Sequence, residues 1–264
     1  MISIVIRNKN EAKALENILS IITNLYAGDY HEIIIVDNYS TDDSLVIASK
    51  YKCKIVTIKN FSYGRATNLG IETAESNYVL LLSAHAIPIG NSFFKNTLIA
   101  LENNENVAGI RYINGIENYK RAVENNFKVI EPLKYGLMTA CAIVNKKVWN
   151  QFKFDEELLA CEDKEWSERV IKNGFKILDL NETFFYFIKR SEKASLLRYK
   201  IETISEYMLN KKKFPNVIII LLSFLKSVVI TNTKEYFKKL YREILILKIK
   251  LEIYNTLRKN GENK

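Results

Sequence analysis

Several groups of residues in this chain carry side chains suited to chemistry. Ile33-Ile34-Ile35-Val36 is an unbroken β-branched run that stops at Asp37, and Asn38-Tyr39-Ser40-Thr41-Asp42-Asp43 follows. Such a run reads as a strand buried on both faces of a parallel sheet. An acid at its carboxyl end stands where open α/β sheets bind ligands, and Ser40 or Thr41 can cap the helix that follows. Glu162 and Asp163 are adjacent carboxylates. Each raises the other's proton affinity, which moves a base towards working pH. His85, in Ser83-Ala84-His85, closes another apolar run, Tyr78 to Leu82. Each group has a structural alternative: a turn residue at Asp37, an acidic first helical turn at Glu162-Asp163, a packed imidazole at His85.

These residues need a frame that brings them together. The first 90 residues alternate strand and helix. Ile2 to Ile6 opens as a strand, and Leu15, Ile18, Leu19, Ile22 and Leu25 then share one helical face. After Asp37 come a helix around Leu45 to Ala48, a strand from Ile55 to Ile58, a helix from Arg65 to Ala74 and the strand Tyr78 to Leu82. This alternation predicts a parallel sheet covered by helices. Further on, the pattern predicts a helix over Ser92 to Leu101, strands over Val107 to Ile113, Ala140 to Val144 and Phe175 to Leu180, and a helix over Glu162 to Lys172 closed by Gly174. Residues 114–135 are polar and poorly periodic, which predicts a mobile loop over a site. From Leu196 onward the chain reads as mostly helix.

The chain has 264 residues, enough for one large α/β domain with an appendage or for two small domains. Its three cysteines, Cys53, Cys141 and Cys161, show no paired or metal-site spacing and suit a reducing compartment. The opening strand carries no basic-then-apolar leader, so no secretory signal is expected. Charge is unevenly placed. Residues 1–210 hold 26 Lys/Arg and 26 Asp/Glu, whereas residues 211–264 hold 13 and 4, so the net +9 lies in the tail. A nucleic-acid protein carries its basic excess on the folded domain, so no nucleic-acid partner is expected.

Nucleotide-binding sheets differ in the loop after their first strand. A dinucleotide-binding dehydrogenase needs glycines there, and this chain has Arg7-Asn8-Lys9-Asn10-Glu11. That segment, Glu32 to Ser44, Phe61-Ser62-Tyr63-Gly64-Arg65-Ala66-Thr67-Asn68-Leu69-Gly70, Leu80 to Pro88, Phe154-Asp155-Glu156 and Cys161-Glu162-Asp163-Lys164-Glu165-Trp166 together resemble family-2 glycosyltransferases, in order and spacing over about residues 1–190. The resemblance implies a GT-A type fold: a Rossmann-like, mixed, mainly parallel α/β sheet flanked by helices. Residues 1–90 are then the nucleotide-binding half, 91–190 the acceptor half, and 191–264 a basic helical C-terminal region. It implies a nucleotide-sugar donor, inversion at the anomeric carbon and a glycan or lipid-linked acceptor, in bacterial surface polysaccharide synthesis. Donor contacts are implied for Arg7, Asn8, Glu11, Asp37, Arg65 and Asn68, and around Ser83, Ala84 and His85. Carboxylates can accept from a base or ribose, and guanidinium suits a diphosphate. Asp163, seconded by Glu162, is implied as the base, and Trp166 as the floor of the acceptor pocket.

One departure from the family pattern stands out. Relatives place Asp-x-Asp, holding Mn²⁺ or Mg²⁺, where this chain has Ser83-Ala84-His85. His85 is then the single candidate ligand, and hard cations prefer carboxylate oxygen. Two other readings remain open: a non-catalytic nucleotide-sugar-binding scaffold, and a sugar nucleotidyltransferase. The tail run Val217 to Leu225 stops at Lys226, too short for a spanning helix, and its flanking lysines fit an interfacial helix on an anionic membrane. Packing on the catalytic domain, or self-association through the C-terminal helices, is the alternative. A cytoplasmic protein, peripheral on the inner face of the membrane, is the expectation.

Overall fold

The computed structural model describes residues 1–262; the last two residues of the expected C-terminal region lie outside the described residues. The first half alternates as expected: β1 (Ile2–Asn8), α1 (Ala12–Leu25), β2 (Glu32–Asp37), α2 (Ser44–Lys50), β3 (Lys54–Thr57), α3 (Tyr63–Thr73) and β4 (Tyr78–Ser83). The second half holds β5 (Ala86–Pro88), α4 (Phe93–Glu102), β6 (Val107–Ile113), α5 (Ile116–Glu124), α6 (Pro132–Tyr135), β7 (Cys141–Asn145), α7 (Lys146–Trp149), α8 (Glu162–Lys172), β8 (Lys176–Tyr186) and α9 (Glu192–Leu209). The eight strands order as β3-β2-β1-β4-β7-β6-β8-β5. β1 to β4 run parallel, β7 is antiparallel to both β4 and β6, and β8 is parallel to β6.

Side chains alternate across each strand, so the doubly apolar runs feed two cores. Ile2, Ile4 and Ile6 pack with Leu15, Ile18, Leu19 and Ile22 of α1 on one face. Val5, Ile34 and Val36 pack with Ala66 and Ile71 of α3, and with Trp149 and Trp166, on the other. Burying one such aliphatic side chain contributes about 1.5–3 kcal/mol. α3 lies close on the sheet because its Gly70 has no side chain: a Cβ there would run into Val5 Cγ1 and stand 3.1 Å from Val36 Cγ2. Gly174 takes φ +86 beyond α8, the left-handed cap its position predicts.

Residues 114–135 correct the sequence reading, because they form α5 and α6 instead of an open loop. α5 buries only Arg121 and Ala122, so no apolar stripe betrays it. The compact body runs to Lys212, past the boundary expected at residue 190, since α9 clusters with it. Lys213 onward forms a second unit, built of α10 (Val217–Leu225), a π-helical turn (Lys226–Thr231) and α11 (Asn232–Glu262). The apolar helix therefore does not stop at Lys226. Val217–Ile253 is long and apolar enough to cross a membrane, and its side chains are unburied.

Candidate active site

Parallel β1, β2 and β4 end side by side. Asn8 is in register with Asp37, and Arg7 with Ser83. Asp37 is almost fully buried. Its carboxylate accepts from Ser40 Oγ at 2.6 Å, Ser40 N at 2.8 Å and Asn8 Nδ2 at 3.0 Å. Ser40 therefore ties the two loops together and caps no helix; its Oγ also accepts from Asn10 N at 2.9 Å. These bonds fix a ledge at the strand ends on which Tyr39 stands exposed at φ +52.

Arg7 reaches across the molecule. Its Nη1 donates to Thr67 Oγ1 at 3.1 Å and to Glu162 Oε1 at 3.4 Å, and its Nη2 to Thr139 Oγ1 at 3.2 Å. Its guanidinium also lies over the Tyr63 ring. Glu162 and Asp163 head α8, introduced by Cys161 in a left-handed conformation with φ +64. Glu162 is buried against Arg7, while Asp163 keeps part of its surface open. Asp163 accepts from Lys164 N at 2.8 Å and from Thr139 N at 3.4 Å. The protein packed around it, and then the Glu162 charge, push its pKa up from the ordinary 3.8 to about 7; the two N–H donors and Arg7 pull the other way. Thr139 thus touches both Arg7 and Asp163. Sequence reasoning missed it, because a lone threonine before a strand carries no pattern.

His85 Nε2 lies 3.3 Å from Glu11 Oε2, at an angle that makes no hydrogen bond, and is buried without another partner. Ser83 Oγ is engaged by His85 N at 3.2 Å, and the Ala84 side chain carries no polar atom. Two ligand atoms at right angles, each about 2.1 Å from an ion, stand about 3 Å apart. The imidazole nitrogen and the Glu11 carboxylate therefore fit two positions of a divalent metal site. A second cluster, His31, Glu32 and Glu75, sits at the amino ends of the strands, and Lys54 already pairs with Glu75.

Two sequence expectations are corrected, for Trp166 and Asn68. Trp166 is fully buried, stacks on Phe154 with ring centroids 5.0 Å apart and donates to Phe152 O, so it belongs to the core and cannot floor an acceptor pocket. Asn68 spends its whole amide on the chain beside it: it donates to Phe154 O and Glu156 Oε1 and accepts from Trp149 Nε1 and Phe154 N. Arg65 is held by Glu156 Oε2 at 3.0 Å, Glu157 Oε1 at 3.4 Å and Asn60 O at 3.2 Å. Both residues clamp α3 to the segment before α8; Asn68 has no hydrogen-bonding capacity left for a donor, whereas Arg65 stays partly exposed and keeps free N–H groups. The surface grooves lined by Ile113, Tyr119 and Glu182, and by Asn77, Asn104 and Gln151, lie off the acid pair.

The model of the glycosyl transferase family 2 matches residues 3–160. The chain belongs to that family. An uncharacterised glycosyltransferase of Methanocaldococcus jannaschii is 25% identical over 279 residues, covering 96% of this chain and 93% of the relative. The O-antigen chain rhamnosyltransferase WbaN of Salmonella anatum is 28% identical over 167 residues, covering 55% of this chain and 53% of the relative, about half its length. Among solved structures, a mannosyltransferase of Pyrobaculum calidifontis with GDP-Man and Mn²⁺ has TM-score 0.61 at 15% identity, over 81% of this chain and 65% of that one. Glucosyl-3-phosphoglycerate synthase of Mycobacterium tuberculosis, with Mn²⁺ and UDP, has TM-score 0.57 at 15% identity, over 82% and 81%. These likenesses carry the fold, which is the expected GT-A type: a mixed, mainly parallel sheet flanked by helices.

Proposed function

We propose that this glycosyltransferase inverts the anomeric centre of a nucleotide-sugar donor, with Asp163 as the base. One observation carries the reading: a carboxylate with its pKa raised to about 7 and open surface stands beside the carboxyl ends of the parallel strands, where this fold binds nucleotides. Asp163 takes the proton of the acceptor hydroxyl as that oxygen bonds to the anomeric carbon. The bond from that carbon to the diphosphate breaks, and its electron pair leaves with the nucleotide. Thr139 N and Lys164 N hold the carboxylate in place. Asn8, Asp37 and the Arg7–Glu11 loop form the donor side. Glu11 and His85 would hold a divalent cation, which when bound neutralises charge on the diphosphate. The rhamnosyltransferase relative supports a surface-polysaccharide acceptor. The basic, apolar second unit supports attachment to the inner face of an anionic membrane.

Asp163→Asn keeps the shape and removes the base. Transfer should fall by about 10²–10⁴, with donor affinity by calorimetry nearly unchanged. Near-normal turnover in this variant excludes Asp163 as the base.

A further inference from the structure

α5 is attached to the body in an unusual way. Ile116, Tyr119 and Val123 face solvent, and of its nine residues only Arg121 and Ala122 are buried. The helix is fastened by an arginine more than by an apolar stripe. Arg121 Nη2 meets Asp179 Oδ1 at 2.6 Å, and Arg111 Nη1 reaches the same oxygen at 3.4 Å. Both arginines are 7% exposed. Two buried cations thus share one carboxylate.

The hydrogen-bond balance is equally lopsided. Arg111 Nε, Arg121 Nε and Arg121 Nη1 have no acceptor, against a single unpartnered oxygen, Asp179 Oδ2. Water can fill such donors but brings no charge, and a buried unpaired cation is costly. The complement these groups call for is an anion rich in acceptor oxygens. Arg121 is further backed by the Tyr135 ring, 4.7 Å from its guanidinium carbon.

The cluster borders the proposed catalytic site. Arg111 Nη2 donates to Asn118 Oδ1 at 2.9 Å, Asn118 Nδ2 to Asn114 Oδ1 at 2.9 Å, and Asn114 Nδ2 contacts Met138 Sδ at 3.3 Å. Met138 precedes Thr139, which holds Asp163. We propose that Arg111 and Arg121 bind a phosphate group carried by the acceptor, with α5 as the element that brings Arg121 onto it. A phosphoryl group offers oxygens in several directions, which suits guanidinium forks arriving from different elements. Little apolar surface is lost when α5 shifts to admit it, since Ala122 is the one apolar residue that α5 buries. The substrate class that follows is a phosphorylated acceptor, and this rests on the glycosyltransferase reading above.

The test is phosphate binding without turnover. Inorganic phosphate and glucose 1-phosphate, compared with chloride at matched ionic strength, should protect the α5 amides from hydrogen exchange, and glucose 1-phosphate should bind the tighter. Arg121→Lys and Arg111→Lys, which keep the charge and lose the fork, should each weaken binding at least tenfold by calorimetry. Asp163→Asn should leave it intact. Chloride giving equal protection, no protection in the unmodified chain, or lysine variants that bind as before would overturn the site. Protection by inorganic phosphate alone would overturn the acceptor assignment. Phosphate held at α5 by a chain that never cleaves a nucleotide sugar would instead retire the catalytic reading of Asp163.

Discussion

A carboxylate that takes a proton from a sugar hydroxyl must be ionised when the acceptor arrives, yet basic enough to pull. Burial and Glu162 bring Asp163 to about 7, which meets both demands near neutral pH. The same shift governs stability. An unfolded aspartate is ionised above about pH 4, whereas folded Asp163 keeps its proton until about 7. Between those values the folded state binds the extra proton. Its stabilising effect is complete below about pH 4 and is lost as pH rises through about 7. Asp163→Asn should therefore melt above the unmodified chain at about pH 8, and the gap should close near about pH 4. In parallel, kcat/KM of the unmodified enzyme should rise about tenfold per pH unit up to about 7 and then level off. A flat profile across this range, with no difference in melting, would mean that Asp163 ionises like any surface acid.

At the scale of elements, α3 shows how motif and role separate. Tyr63 to Gly70 matches the family run, but Arg65 and Asn68 point at neighbouring chain. Asn68→Ala would strand Trp149 Nε1, Phe154 N and Phe154 O in the core. It should cost about 2–4 kcal/mol in urea unfolding, because buried groups left without partners carry their full desolvation penalty. Arg65→Ala breaks half-exposed pairs and should cost about 1 kcal/mol or less. Donor affinity should hold in Asn68→Ala. A clear loss of donor binding by Asn68→Ala at unchanged stability would return it to the donor site. Legibility follows the same physics. The doubly apolar strands and the amphipathic α1 announce themselves because burial dictates residue type. The acid pair and Asp37 were readable because they sit at element ends. α5 was not, since it is held by Arg121, and Thr139 was not, since its contacts come from Arg7 and Asp163, far along the sequence. The three-residue β5 is too short to show a period.

For the whole molecule, the decisive asymmetry is charge. The first 210 residues are balanced, while the remainder carries 13 basic against 4 acidic residues alongside the unburied helix Val217–Ile253. Each Lys or Arg near an anionic surface contributes about 1 kcal/mol, and apolar side chains add insertion energy that salt does not screen. Lys211, Lys212 and Lys213 precede the apolar run, Lys226 interrupts it, and Lys234, Lys238, Lys239 and Arg242 follow. That spacing suits a helix lying at the headgroup level, where lysines reach out along their stems. The full chain should therefore bind vesicles containing anionic lipid and ignore neutral ones. Binding should weaken markedly between about 0.05 and 0.5 M salt, as the screening length falls from more than about 10 Å to a few. A chain ending at Lys212 keeps the compact body and should remain in solution with donor affinity intact. Salt-insensitive retention of the full chain would mean that Val217–Ile253 crosses the bilayer. Failure to bind any vesicle, together with a concentration-dependent rise in mass that the truncated chain lacks, would mean that the helices pair with a second copy.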